Sequence, residues 1–409
     1  MTTVNVREFI GTPLSSKSTK VLLLGSGELG KELALEAHKL GLEVVAVDRY
    51  DNAPAMHLAH RKYVINMLDG RAVKEVVYRE RPDVVIPEVE AVDTGALKEL
   101  ESEGYFIAPN AEAVRVCMNR VELREFLSKK LELPTTKYVV VSSEEELINA
   151  CDVVGYPCIV KPEMSSSGHG HTVIRTPLSE GELRNAYRYA VASGRGLSRR
   201  VIVEEFVDLL TEFTVLTYRY VTPSNEVFIS TLEPVEHWRY GHFHYIESWQ
   251  PSIRDEDILR KCREYAVKIV EALGGYGIYG VELFLTKDGR LLVSEVAPRP
   301  HDTGFVTLVT QDLSEFAIHL RAALRLPIPK VNLISAGASY AVYTDLDGVW
   351  GPKYYGIHEV LSVEGVDIRI FGKPSTYRGR RMAVLLARGV DVYEARSKLR
   401  KVLNKLVIS

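Results

Sequence analysis

Residues 280–296 decide the fold of the central part of the chain: Gly280-Val281-Glu282-Leu283-Phe284-Leu285 and Leu291-Leu292-Val293-Ser294-Glu295-Val296 flank an Asp288-Gly289 turn. Apolar alternation on both sides of Asp-Gly is typical of a β-hairpin. A two-residue turn pairs residues whose numbers sum to 577, so we expect Glu282 opposite Glu295. The core face of the hairpin would then carry Val281, Leu283, Leu285, Leu292 and Val296.

Two carboxylates that face each other on one side of a hairpin repel each other, and something must offset this repulsion. Like charges directly opposite each other destabilise a sheet. At about 5 Å and an effective dielectric near 20, the repulsion is about 3 kcal/mol. Mg²⁺ held by one or two carboxylates together with phosphate oxygens would remove this repulsion. A proton shared by the pair, or plain solvent exposure, would also remove it, so the hairpin predicts a magnesium site with these alternatives open.

The segment after the hairpin reads Pro298-Arg299-Pro300-His301-Asp302-Thr303-Gly304. It is dense in polar groups and constrained by proline. Binding and catalytic residues are often found on loops that a rigid scaffold positions. We therefore interpret this segment as a site loop rather than a linker.

A lysine and a loop of serines and glycines lie earlier in the chain. Lys161 follows a strand pattern over 156–160, and Met164-Ser165-Ser166-Ser167-Gly168-His169-Gly170-His171 comes next. The N–H groups and hydroxyls of such a loop can surround phosphate oxygens, with the lysine as a point charge. A Ser-rich loop is as often merely flexible, but the paired glutamates downstream favour ATP.

The N-terminal part predicts a doubly wound α/β unit that ends near residue 115. Short apolar runs predict buried parallel strands over 21–24, 43–47 and 84–86, and helical patterns predict crossover helices over 29–40 and 72–80. Gly25-Ser26-Gly27-Glu28-Leu29-Gly30 joins the first strand to the first helix, and Asp48 ends the next strand. This context is typical of a dinucleotide site, but the glycines can equally serve only a tight turn.

Further elements are predicted in the rest of the chain. Ser143 with Glu146 and Ser179 with Glu182 have the spacing of capping boxes at two helix starts. A hairpin is expected over 214–220 and 227–231, and helices over 255–273 and 313–324. Pro327 and Pro329 mark a boundary, after which a small mixed domain remains.

Composition limits the class of protein. A chain of 409 residues is too long for a single hydrophobic core, because one domain usually has roughly 100–200 residues. The net charge of −3 gives no basic excess for nucleic acid, and no apolar run approaches the roughly 20 residues of a membrane helix. The N-terminus has no signal-peptide pattern, and the four cysteines lack metal-ligand spacing. We expect a cytoplasmic protein without nucleic-acid or membrane partners.

Three features in this order resemble the ATP-grasp superfamily: Lys161-Pro162 with its loop, Val203-Glu204-Glu205-Phe206, and the glutamate hairpin. Further strings resemble one family within it, the formate-dependent phosphoribosylglycinamide formyltransferases of purine biosynthesis. The likeness covers about residues 17–395. Its strings are Leu-Gly-Ser-Gly-Glu-Leu-Gly-Lys at 24–31, Ala-Val-Asp-Arg-Tyr at 46–50, Asn-Ala-Pro-Ala-Met at 52–56, Tyr-Pro-Cys-Ile-Val-Lys-Pro at 156–162, Ser-Trp-Gln-Pro at 248–251, the site loop at 298–304 and Phe-Gly-Lys-Pro at 371–374.

The resemblance implies an α/β protein of three domains. These are a Rossmann-like domain over 1–118, an ATP-grasp domain of two α+β subdomains over 119–328 and a small mixed C-terminal domain over 329–409. It implies that formate attacks the γ-phosphate of ATP to give formyl phosphate. The amine of glycinamide ribonucleotide then displaces phosphate. ATP and Mg²⁺ would be the cofactors, formate and glycinamide ribonucleotide the substrates, and a homodimer the assembly.

The resemblance also implies roles for individual residues. Those for ATP are Arg120, Lys161, Ser166, Ser167, Gly168, His169, Gly170, His171, Glu204, Glu205, Phe206, Val207 and Glu212. Those for the ribonucleotide are Glu28, Leu29, Glu88, Asp302, Lys373, Arg380 and Arg381. Glu282 and Glu295 would hold Mg²⁺, and we take Arg299 and Asp302 of the site loop as catalytic. From the residues alone, Lys373, Arg380 and Arg381 can take a phosphate monoester, although a solvated charged loop is the commoner explanation.

Some positions depart from the family pattern. His169 stands where the family has lysine, and Ala297 stands where many ATP-grasp enzymes have Asn or Ser. The stretch 237–246 is rich in histidine and aromatic residues where the family is acidic. The alternatives are a sister ATP-grasp carboxylase that uses bicarbonate and an aminoimidazole ribonucleotide, an NAD-dependent dehydrogenase built on the first domain, and a non-catalytic ATP-binding regulator.

Overall fold

A computed structural model describes residues 6–89, 91–165, 169–194, 198–240 and 244–409. The N-terminal part contains a parallel sheet of order β3-β2-β1-β4, which confirms the doubly wound prediction. Its elements are β1 Lys20–Leu24, α1 Glu28–Lys39, β2 Glu43–Asp48, β3 Arg61–Val64, α2 Gly70–Glu80, β4 Val84–Pro87 and α3 Thr94–Ser102, followed by α4 Ala111–Met118 and α5 Arg120–Glu125. Strand β3 was not predicted. Arg61-Lys62-Tyr63-Val64 has no fully buried residue and therefore no apolar run.

A four-stranded antiparallel sheet of order β5-β8-β6-β7 follows, with two helices packed on it. Its elements are β5 Tyr138–Val141, α6 Glu144–Val154, β6 Cys158–Pro162, β7 Thr172–Ile174, α7 Glu180–Ser193 and β8 Val201–Glu205. Ser179 forms the complete capping box that was predicted. Ser143 accepts from the Glu146 N–H as expected, but the Glu146 carboxylate accepts from Ser142 N instead of closing the box.

The remaining strands form one long antiparallel sheet, of order β14-β13-β9-β11-β12-β15-β18-β17, with β10 paired to β9. The first part comprises β9 Leu209–Val221, β10 Val227–Thr231, β11 Val235–Tyr240, β12 His244–Gln250, α8 Glu256–Leu273, β13 Gly277–Thr286, β14 Leu291–Ala297, α9 Thr307–Thr310 and α10 Glu315–Ala323. The second comprises β15 Ala336–Thr344, β16 Tyr354–Tyr355, α11 Ile357–Leu361, β17 Val366–Ile370, β18 Arg380–Gly389, α12 Val392–Leu403 and β19 Val407–Ile408. Because β12 pairs with β15, the sheet crosses the boundary predicted at residue 328; the domain limits stay a prediction.

The hairpin of β13 and β14 has the predicted glutamate pair, but for a different geometric reason. Leu285 pairs with Leu291, so the turn holds one residue more than the predicted two-residue turn. A bulge at Ser294 compensates for that residue. Glu282 therefore faces Glu295 as predicted.

The same bulge changes which side chains of β14 face the core. Leu283 pairs with Val293, and Val293 joins the apolar cluster under the sheet. Leu292 pairs with Phe284, on the face of the hairpin that carries Glu282. The prediction that Leu292 lies on the core face was wrong, because the bulge shifts the alternation by one residue.

Candidate active site

An ion-pair network holds the predicted ATP lysine at the end of β6. Lys161 Nζ lies 2.5 Å from Glu204 Oε2 on β8, and Arg124 Nε of α5 lies 2.7 Å from Glu204 Oε1. Glu204 is fully buried, and burial would raise its pKa, but Arg124 and Lys161 lower it to about 2. Two cations therefore share one carboxylate, which fixes the direction of Lys161.

Arg120 anchors the start of the Ser/Gly loop to the beginning of α5. Its Nη1 donates to Pro162 O at 3.0 Å and to Ser165 Oγ at 2.9 Å, and its Nη2 donates to Ser165 O at 2.8 Å. Ser166, Ser167 and Gly168, which we assigned to ATP, lie outside the described residues. The loop is thus held at its entry by a guanidinium on backbone carbonyls.

The two histidines of this loop differ in environment. His169 is exposed, and Gly170 beside it has a φ of +77°. His171 is partly buried, and burial together with the charges of Arg120 and Lys161 lowers its pKa to about 2. His171 is therefore neutral and offers a hydrogen bond rather than a charge.

Three residues assigned to ATP lie at the end of β8 and directly after it, and their side chains differ in their contacts. The Glu205 carboxylate accepts from Arg290 at 3.0 and 3.1 Å. The Phe206 ring lies 5.7 Å from the guanidinium of Arg175, and Val207 is buried. The carboxylate of Glu205 is thus held by a charge on the hairpin turn.

Buried charges converge where β9, β11 and β13 adjoin. Arg239 Nε donates to Glu212 Oε2 at 2.9 Å, and Arg239 Nη2 bonds to Glu282 Oε1. His237 Nε2 lies 3.3 Å from Glu212 Oε2, and His301 Nε2 lies 3.2 Å from Glu282 Oε1. Burial would raise the pKa of Glu282, but Arg239 and His301 hold it below its usual range. Glu282 is therefore ionised, and protein cations supply the compensation that its position requires.

The donor set around Glu282 fits a hard divalent cation. Glu282 is buried, whereas Glu295 opposite it is exposed; the two carboxylates would hold the cation, and phosphate oxygens are the usual further ligands of Mg²⁺. One ligand atom from each of Glu212, His237 and Glu282 lies within 4.8 Å of the others. Glu212 of β9, His237 of β11 and Glu282 of β13 therefore surround one position, while the assignment of Mg²⁺ to Glu282 and Glu295 stays a prediction.

Four residues assigned to the ribonucleotide meet between α1, the site loop and β18. Lys373 Nζ lies 2.8 Å from Glu28 Oε2. Arg381 donates to Glu28 Oε1 at 2.9 and 3.1 Å and also to Asp302. Burial would raise the pKa of Glu28, but Lys373 and Arg381 lower it to about 2. The alternative of a solvated loop fails for Lys373 and Arg381, whose side chains are 9% and 14% exposed.

The other residues assigned to the ribonucleotide contact this cluster less directly. Arg380 stacks on the Tyr50 ring at 5.5 Å and donates to Tyr50 Oη at 3.3 Å. The Leu29 side chain lies in the core, so only its backbone can meet a ligand. Glu88 Oε2 lies 3.1 Å from the place of a Cβ at Gly25, which has a φ of +112°. The glycine-rich turn thus makes room for a buried carboxylate.

Sequence reasoning missed the groups that hold the site loop. His301 Nδ1 lies 2.9 Å from Thr303 Oγ1, which donates to Thr214 Oγ1 at 2.8 Å. Glu315 Oε2 accepts from His301 N at 2.9 Å, and burial raises the pKa of Glu315 to about 8. A Cβ added at Gly304 would overlap the Glu315 carboxyl, so a larger residue there would displace that carboxyl. Glu315 lies in an apolar helix pattern that gives no sign of this contact.

The two residues taken as catalytic have different surroundings. Arg299 Nη1 donates to Pro300 O at 2.9 Å. Burial would raise the pKa of Asp302, but Arg381 and His301 hold it below its usual range. His301, which we had not singled out, contacts Glu282 and lies 3.5 Å from Asp302. It therefore joins Glu282 to Asp302, the carboxylates that the resemblance assigns to Mg²⁺ and to the ribonucleotide.

Three family models match consecutive parts of the chain. They are the ribonucleotide synthetase preATP-grasp domain over 18–118, the ATP-grasp domain over 126–316 and the PurT C-terminal domain over 337–406. Together with the glutamate hairpin and the paired Lys161, they define an enzyme of the ATP-grasp class. The predicted fold class is confirmed. In the described part of the chain, no helix has the length and apolarity needed to cross a membrane.

Relatives narrow the class further. The formate-dependent phosphoribosylglycinamide formyltransferase of Saccharolobus solfataricus is 53% identical over 98% of this chain and 99% of its own length. That of Ignicoccus hospitalis is 54% identical over 97% and 98%. The chain belongs to the formate-dependent phosphoribosylglycinamide formyltransferase family, as the motifs indicated.

Solved structures agree with this placement. Glycinamide-RNase-transformylase T from Mycobacterium tuberculosis is 30% identical with a TM-score of 0.77, covering 95% of this chain and 100% of its own. N5-carboxyaminoimidazole ribonucleotide synthetase from Thermotoga maritima is 28% identical with a TM-score of 0.80, covering 95% and 99%. The fold is therefore shared by a transformylase and by a carboxyaminoimidazole ribonucleotide synthetase.

Proposed function

We propose that the protein formylates glycinamide ribonucleotide with formate and ATP, through formyl phosphate, in purine biosynthesis. One observation carries the proposal: a single loop joins the two charged sites. His301 contacts Glu282 on the metal side, and its neighbour Asp302 contacts Arg381 on the ribonucleotide side. Transfer of an unstable acyl phosphate to an amine needs both reactants held within reach of each other.

On the phosphate side, the residues act as fixed charges. Lys161, directed by Glu204, would neutralise a phosphate oxygen, and Arg120 would keep the entry of the loop in place. Glu204 itself is too buried to meet ATP, so we assign it to orienting Lys161. Glu282 and Glu295 would hold Mg²⁺, which neutralises developing charge on the phosphates when it is bound.

On the acceptor side, Lys373 and Arg381 would bind the phosphate monoester of the ribonucleotide. Glu28 and Asp302 offer ionised acceptors to its hydroxyls or amine. An acid with a lowered pKa is a weak base. We therefore assign Asp302 to orienting the amine rather than to removing its proton.

The three alternative functions agree with the observed contacts to different degrees. A dehydrogenase needs an acidic residue free for the cofactor ribose, but Asp48 is buried and accepts from Ser26 N at 2.8 Å. An ATP-grasp carboxylase shares the fold and is separated only by its substrates. A non-catalytic regulator would bind ATP without turnover. The homodimer and the cytoplasmic location stay predictions.

ADP release from the purified chain tests the proposal. With Mg-ATP and glycinamide ribonucleotide, we expect release that depends on formate, together with a formylated ribonucleotide by mass spectrometry. Release that depends instead on bicarbonate and an aminoimidazole ribonucleotide would establish the carboxylase. Binding of ATP without release under either condition would establish the regulator.

A further inference from the structure

Arg239 on β11 carries a partly buried guanidinium with an unused donor. Its Nε and Nη2 bond to Glu212 and Glu282, while its Nη1 has no hydrogen-bond partner among the residues that the structure describes. The side chain is 19% exposed and reaches a cavity of about 650 Å³ that Glu212 and His237 also line. A small solute can therefore approach this guanidinium from the cavity.

Arg239 also lies between the two charged sites. Burial alone would lower its pKa, but three carboxylates raise it, those of Glu282, Glu212 and Asp302. Glu282 belongs to the metal side, and Asp302 is bound by Arg381 of the ribonucleotide side. A small carboxylate that must meet both a nucleotide phosphate and an amine would occupy this intermediate position.

Three other described cations of the site, Lys161, Lys373 and Arg381, are bound at its two ends. Lys161 is paired with Glu204, and Lys373 is paired with Glu28. Arg381 bridges Glu28 and Asp302. Arg299 of the site loop remains as a competing candidate, and the experiment below separates it from Arg239.

We propose that Arg239 is the binding residue for the carboxylate of formate, and that a divalent cation at Glu282 releases it for this role. The inference rests on the proposed function. A cation held by Glu282 would compete with Arg239 Nη2 for the same carboxylate. Once released, Nη1 and Nη2 present the paired donors that a carboxylate accepts in a bidentate bond. Formate then binds after the metal nucleotide.

Kinetics of Arg239→Met and Arg239→Lys test the binding role. Loss of a charge-assisted bidentate bond predicts a KM for formate raised about tenfold to a hundredfold, with smaller changes for ATP and the ribonucleotide. Arg239→Lys keeps a positive charge between the two glutamates. It therefore serves as the variant to measure if Arg239→Met does not fold. Arg254→Met is the matched control, because Arg254 lines the same cavity but donates to Glu236 at 2.7 Å; its KM for formate should equal the parent's.

Metal binding without nucleotide gives a second readout that does not depend on turnover. If Arg239 competes for Glu282, Arg239→Met should bind Mn²⁺ at least about tenfold more tightly than the parent in an EPR titration, since one charge-assisted bond no longer opposes the metal. Equal Mn²⁺ affinity would overturn the competition.

The outcomes separate the inference from the proposed function. A parent that releases no ADP with formate would contradict the function itself. A parent that formylates the ribonucleotide, beside Arg239 variants with an unchanged KM for formate, would overturn only the inference. A raised KM for formate in Arg299→Met but not in Arg239→Met would also overturn it, by moving the role to the site loop.

Discussion

Glu315 allows a quantitative test of how the site loop is held. Burial raises its pKa from 4.5 to about 8, and its carboxyl accepts from His301 N. Between these two pH values the folded protein binds a proton that the unfolded chain has lost. The free energy of unfolding should therefore fall as pH rises from about 4.5 to about 8, and be independent of this group outside that window. At about 1.4 kcal/mol per unit of pKa, the loss approaches 5 kcal/mol as an upper limit.

Glu315→Gln removes the titration while keeping a neutral group of the same shape. We expect the variant to gain stability relative to the parent as pH rises from 5 to 8, with a constant difference above that. Thermal or urea unfolding of both proteins across pH 5–9 measures the difference. Glu204→Gln is the matched control, because the pKa of Glu204 is about 2. Its penalty, about 3–5 kcal/mol for breaking a buried pair, should be the same at every pH in this range.

Parallel pH profiles for the parent and Glu315→Gln would refute this reasoning. They would mean that Glu315 is ionised in the folded protein and that the loop is held by a charged acceptor. Formylation by Glu315→Gln should persist, because an amide oxygen can still accept from His301 N. A large loss of turnover with an unchanged stability profile would point to a direct chemical role for the carboxyl.

Three further predictions concern the assigned ligands. Glu295→Gln should abolish Mg-ATP turnover while leaving the free energy of unfolding without Mg²⁺ equal or higher, since a charge opposite Glu282 is lost; full activity would remove the metal assignment. Arg381→Ala should raise the KM for the ribonucleotide about tenfold to a hundredfold and that for ATP much less; equal changes in the two constants would contradict a phosphate-binding role. In His169→Lys the KM for ATP should stay constant as pH rises through neutrality. The KM of the parent should increase over the same range, because a neutral imidazole binds phosphate more weakly. Identical pH profiles would show that backbone N–H groups alone bind the phosphate.

Local pattern predicted much of the secondary structure, and the motifs predicted which residues meet. The pairing of Glu282 with Glu295 was right although both the turn and the bulge at Ser294 were missed, because each shifts the register by one residue in opposite directions. Had only one been present, Glu282 would face Ser294 or Val296 instead of Glu295. Agreement at a single pair therefore tests register weakly.

What sequence could not predict depends on contacts between distant strands. The position of Arg239 requires β11 to lie beside β9, which in turn lies beside β13. Adjacent arginines at 380 and 381 usually indicate an exposed loop, yet Arg381 is held by carboxylates from α1 and the site loop. No periodicity along the chain encodes such pairings, since they appear only after the sheet has formed.

The strand order of the long sheet also determines how long one strand edge stays uncovered during translation. β12 lies between β11 and β15, and the chain from 251 to 344 must be translated before its second edge is covered. At roughly 5–20 residues per second this takes on the order of 5–20 s on the ribosome. Glu282 is added about a third of the way through that time, and until β15 follows, the nascent chain presents an open strand edge to neighbouring chains. A shortened chain that stops before β15 would keep that edge permanently, so we expect the ATP-binding half to accumulate only when the C-terminal strands are supplied with it.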